Sequence, residues 1–191
     1  TWLLSTATLW AQDSGWTYRA DPADGLLPPI YRAVPVSLEQ PDEVREEVTY
    51  RGQSQRYAQL RYGTDDSTRV LLVVDEVKRN EVDVYVDTNR NRIIEPQDRI
   101  DGGGPVYRIP LDVELTEGIA PVYRARIVLL RRGVLPNMVS VATCGCATGT
   151  VEIDGGQVVA RRVDGNANGL FADSSDRVWL DLDNDGQWSG I

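Results

Sequence analysis

The chain has 191 residues, with 20 Lys and Arg against 29 Asp and Glu and no histidine, so its formal net charge is −9. Such acidity repels nucleic-acid phosphates and anionic membrane surfaces, and the missing imidazole excludes His-dependent triads, His-ligated zinc and the usual proton shuttle near neutral pH. What remains for chemistry is oxygen from carboxylates, amides and carbonyls, which suits hard cations such as calcium.

Thr1 to Gln12 carry no charge and hold Trp2, Leu4 and Trp10 on one alternating face and Leu3, Ala7 and Leu9 on the other. That pattern predicts a strand covered on both sides, either inside its own domain or as an arm, anchored by Trp2, Leu4, Leu9 and Trp10, that completes a neighbour's sheet. Five of the ten prolines follow, at positions 22, 28, 29, 35 and 41. Proline fixes φ and removes donors, so 21–41 reads as an extended linker between an arm (1–20) and a β-rich domain (42–191).

Beyond Pro41 the chain is a run of short β candidates. Glu47 to Arg51 and Arg56 to Tyr62 flank a Gly52-Gln53-Ser54 turn. Val70 to Val74 is continuously apolar, and Val82, Val84 and Val86 alternate with Asp83 and Tyr85. Further strands are expected at Val106 to Leu111, Pro121 to Leu130, Met138 to Thr143, Thr150 to Ile153, Gln157 to Val163 and Arg177 to Leu182. Short strands bounded by Gly, Asp and Asn with almost no helical period predict an all-β, antiparallel sandwich or barrel-like fold with long loops.

The longest uncharged run, Gly133 to Val151, is broken by Pro136 and three glycines and is not a membrane span. Cys144 and Cys146 flank one glycine, so they form a tight disulfide only if the chain turns there, and are otherwise two inert thiols.

Three loops share a spacing of oxygen-bearing side chains. They are Asp87-Thr-Asn89-Arg-Asn91-Arg-Ile93 running on to Asp98, Asp164-Gly-Asn166-Ala-Asn168-Gly-Leu170 running on to Asp176, and Asp181-Leu-Asp183-Asn-Asp185-Gly-Gln187. Oxygens at positions 1, 3 and 5, a carbonyl at 7 and a closing carboxylate are what six to eight oxygen ligands around Ca²⁺ require. The first two loops start 77 residues apart and both close on Asp-Arg and an aliphatic residue, which suggests a duplicated strand-loop-strand unit.

These loops resemble those of the EF-hand superfamily and of dockerin and thrombospondin type 3 calcium repeats, and the likeness covers the loops alone. It implies two to three bound Ca²⁺ and a secreted, extracellular or cell-surface protein. Carried over by position, Asp87, Asn89, Asn91 and Asp98 would be side-chain ligands, with the Ile93 carbonyl and Glu95 through water. In the second loop the ligands would be Asp164, Asn166, Asn168, the Leu170 carbonyl, and Asp176 or Asp173. In the third they would be Asp181, Asp183, Asp185 and the Gln187 carbonyl. Arg92 stands where glycine is expected, the second loop is one residue longer than the pattern, and the third has no closing ligand of its own. Strand-like flanks argue against a helix-loop-helix unit.

No nucleophile elbow or phosphate-binding glycine loop is present, so a non-catalytic role is expected. The uncharged arm, its stiff spacer and the metal loops together predict an extracellular calcium-stabilised structural protein that assembles with copies of itself into a filament or surface layer. The alternative is a calcium-stabilised carbohydrate-binding or adhesion module, with Trp16, Tyr18, Trp179 and Trp188 as stacking candidates for a glycan.

Overall fold

A computed structural model describes residues 15–21, 31–64, 68–78, 81–101, 106–130 and 137–190. The predicted arm, with Trp2, Leu4, Leu9 and Trp10, lies outside them.

The apolar run at Val70 to Val74 becomes the middle of β5 (Arg69–Lys78), which pairs on either side with β4 (Ser54–Arg61) and β6 (Glu81–Val86), both antiparallel. A central strand covered on both faces needs apolar side chains at successive positions. Leu72 and Val74 face one core, with Leu60, Val84 and Val86; Leu71 and Val73 face another, with Tyr57, Tyr85, Val44 and Ile94.

Opposite the first face lies a four-stranded sheet in the order β2 (Tyr31–Pro35), β10 (Met138–Thr143), β9 (Val122–Leu130), β8 (Val106–Glu114). Its strict alternation follows from having one dry face: along β8, Tyr107, Ile109, Leu111 and Val113 are buried while Arg108, Pro110, Asp112 and Glu114 are exposed. The two sheets enclose the main core as a β-sandwich.

The second face of the three-stranded sheet is covered by the chain after Pro41. There β3 (Arg45–Glu46) pairs in parallel with β7 (Ile93–Ile94), just ahead of a 3-10 turn at Pro96–Asp98. The expected hairpin at 47–51 does not form. Instead the backbone N–H groups of Arg51 and Gly52 donate to the Asp75 carboxylate at 3.1 and 2.9 Å, so a buried side chain replaces a partner strand.

A five-stranded sheet continues from β10, in the order β1 (Thr17–Ala20), β11 (Gly145–Ile153), β12 (Gly156–Val163), β13 (Arg177–Asp181), β14 (Ser189–Gly190). Cys144 and Cys146 are both buried thiols, and the chain between them opens β11 rather than turning back on itself. No helix among the described residues is long and apolar enough to cross a membrane.

Candidate metal-binding loops

Each of the three Asp-rich loops follows a strand and ends where the chain returns antiparallel to it. In loop one (87–98) the return is the bridge between Tyr85 and Arg99; in loop two (164–176) it is the pairing of Val163 with Arg177; in loop three (181–187) it is the pairing of Leu180 with Ser189. The loops are long hairpin connections, and the flanking strands fix where each begins.

Their local wiring is the same. One carboxylate oxygen of the first residue accepts from the N–H at position six: Asp87 from Arg92 at 3.0 Å, Asp164 from Gly169 at 2.7 Å, Asp181 from Gly186 at 3.0 Å. The oxygen of the fifth side chain accepts from the N–H at position seven: Asn91 from Ile93, Asn168 from Leu170, Asp185 from Gln187, at 2.8, 2.8 and 2.7 Å. Asn89 and Asn166, at position three, accept in the same way from the fifth N–H. Left-handed backbone recurs at position four (Arg90 φ 59°, Ala167 52°, Asn184 57°) and at position six (Arg92 63°, Gly169 85°, Gly186 81°).

The Arg92 departure costs about 1 kcal/mol in backbone strain. Its guanidinium reaches Glu43 at 2.7 Å and its carbonyl accepts from Arg45, which ties loop one to β3. Sequence reasoning had no account of that residue; tertiary contacts supply it.

The closing halves of loops one and two also match. Asp98 accepts from the N–H of Glu95 at 2.9 Å, and Asp176 from that of Asp173 at 2.9 Å. The amide of Asn91 donates to Glu95 at 3.1 Å, as that of Asn168 does to Asp173 at 2.9 Å, joined there by Asn166 at 2.8 Å. Glu95 and Asp173 are therefore equivalent, and the extra residue of loop two falls before Asp173. Counting from the first aspartate puts Ser175 in twelfth place; the hydrogen bonds put Asp176 there.

Position eight is also shared by the three loops. Ile94 is fully buried in the second core, Phe171 is buried in the main core, and Trp188 packs over the Arg161 guanidinium at 4.3 Å. An apolar or aromatic residue at the same place in all three loops was the available signal. Gly169 and Ala167 also press on the main core, where a Cβ added to Gly169 would meet Leu115 at 2.7 Å.

The electrostatics are those of crowded acids. Asp87, Asp164 and Asp181 are all buried. Burial pushes the Asp87, Asp98 and Asp164 carboxyls above the usual range, against the lowering effect of the backbone N–H groups that donate to them. The Asp176 carboxyl, half-buried and close to Asp173 and Asp164, rises to about 6. In loop three, Asp181, Asp183 and Asp185 each bring one carboxylate oxygen within 4.8 Å of the others, so this group can hold a metal ion. The shortest loop is thus the one whose carboxylates are gathered.

Among the stacking candidates, Tyr18 packs against Phe171 and Tyr123 with its oxygen accepting from the Arg124 N–H, and Trp16 lies over Arg162 at 4.1 Å. Both are packing residues. No family profile matches the chain, and neither a curated protein nor a solved structure matches it.

Proposed function

We propose that the chain is an extracellular calcium-stabilised structural domain without catalytic activity, in which two to three Ca²⁺ fasten hairpin loops to the sandwich. The observation that carries this is the shared wiring of the three loops, each starting from a buried aspartate. All the side chains in place are oxygen donors, and several are amides, a mixture that favours calcium over the more strongly hydrated magnesium. The group Asp181, Asp183 and Asp185 bears formal charge −3, which a divalent ion reduces to −1. Binding a cation only in the folded state adds stability by mass action, and extracellular calcium is high enough to fill modest sites.

The same reading makes the chain a self-assembling subunit. The uncharged segment with Trp2, Leu4, Leu9 and Trp10 donates a strand to a neighbour, and β8, which ends its sheet, is an edge of nine residues of the kind a donated strand uses. Negative-stain microscopy of the purified chain with calcium tests it: filaments or sheets that vanish when residues 1–12 are deleted are expected. Monodisperse monomers regardless of that deletion overturn assembly, and calcium titration calorimetry without heat overturns the metal sites.

A further inference from the structure

The outer face of the five-stranded sheet carries a concavity of about 440 Å³ bordered by loop three. Its wall is built by strand register. Thr17 of β1 stands opposite Thr148 of β11, which stands opposite Arg161 of β12, while Arg19 follows two residues along β1 on the same face. Loop three closes the far side with Asp181 and Trp188. The volume is that of a small-ligand site.

On a chain of net charge −9, two guanidiniums and two hydroxyls surround one indole, with Arg161 buried and stacked on Trp188 and Arg19 exposed. A guanidinium fork is shaped for a carboxylate, hydroxyls and Asp181 suit ring hydroxyls, and an indole suits the C–H face of a sugar ring. We infer that this concavity binds a uronic-acid residue of an acidic glycan, with Arg19 toward its carboxylate, Trp188 along its ring and the buried Arg161 holding the indole in place.

The site is coupled to loop three. Asp181 belongs both to the wall and to the three-aspartate group, and Trp188 follows directly on Gln187. With the loop unfilled, those carboxylates repel an incoming carboxylate; a bound cation removes most of that repulsion and holds the segment that carries the indole. This coupling rests on the calcium reading, and by linkage the glycan must tighten calcium by the same factor.

The test is calorimetric titration of the full chain with digalacturonic acid, with the neutral disaccharide of galactose as the comparison, in the presence and absence of calcium. Expected are binding of the acidic disaccharide alone, a loss of tenfold or more without calcium, and a loss of tenfold or more in an Arg19→Ala chain whose calcium titration and melting are retained. Arg19 is exposed, so its variant folds. Calcium binding with no heat from the acidic disaccharide overturns the glycan site and leaves the calcium reading standing. Equal binding of the neutral disaccharide overturns the role of the Arg19 guanidinium. Acidic-glycan binding in a chain that takes up no calcium keeps the pocket and overturns the coupling together with the metal sites.

Discussion

The α-carbon of Gly165 lies so close to the carbonyl oxygen of Ser175 that a Cβ there would overlap it. The contact is backbone on backbone, across the two ends of loop two, and beside it the Gly165 N–H donates to Asp176 at 3.1 Å. Nothing flexible can yield, so Gly165→Ala must force the loop ends apart. It should cost about 3 kcal/mol in urea unfolding and abolish any cation binding at loop two. Gly155→Ala serves as the comparison, because that glycine meets open space and an added methyl there meets only the strain of its positive φ, at 78°. Its cost should stay near 1 kcal/mol.

Calcium at one hundred times its dissociation constant adds about 2.7 kcal/mol per site, which for a chain of this size raises Tm by about 5–10 °C. Differential scanning calorimetry with and without calcium checks this. Asp164→Asn and Asp181→Asn should each remove part of the rise, and the double variant should remove the sum of the two, since the loops are separate sites. An unmoved Tm in the unmodified chain would remove the metal from all three loops.

Phe171 places loop two in the main core, in edge contact with the rings of Tyr18 and Tyr123 at 5.7 and 6.2 Å between centroids. Phe171→Ala should therefore destabilise the fold by about 3–5 kcal/mol and also weaken calcium at loop two, because the loop loses its anchor. Phe171→Leu should retain most of both. A calcium affinity unchanged in Phe171→Ala would show that the loop is ordered by its own hydrogen bonds alone.

Where burial follows one rule, the chain is legible from its residues. The alternation in β8 and the run in β5 each name a strand and its number of covered faces. The stretch 47–51 misleads because its ends bond distant groups, Glu47 the Ile94 carbonyl and Arg51 the carboxylates of Asp75 and Asp83, which no local pattern announces. In the loops, the spacing of Asp164, Asn166 and Asn168 and the closing Asp176-Arg177 are visible in the chain, but that the extra residue is absorbed before Asp173 is not. The matching role of Ile94, Phe171 and Trp188 emerges only once each is seen to meet a different surface.

Asp83 provides a pH signature at the base of loop one, where Arg99 returns beside Tyr85. Its carboxylate is buried, and it accepts from Arg51 at 2.6 and 2.8 Å and from Arg99 at 3.0 Å. The Arg51 hydrogen bond holds its carboxyl below the ordinary value of 3.8, Arg99 adds to this, and burial opposes both. A depressed folded-state value means that the native state holds the proton less tightly than the unfolded chain. The stabilisation is then complete above the unfolded value and is lost as pH falls from near 4 through the depressed value. Asp83→Asn should be less stable than the unmodified chain by about 2 kcal/mol at pH 6, the usual size for hydrogen bonds to a charged group. The difference should shrink below pH 4 as the native carboxyl takes up its proton. Urea unfolding of both chains from pH 6 to pH 2.5 measures it, and a gap that stayed constant over that range would show that Arg51 and Arg99 do not favour the ionised form.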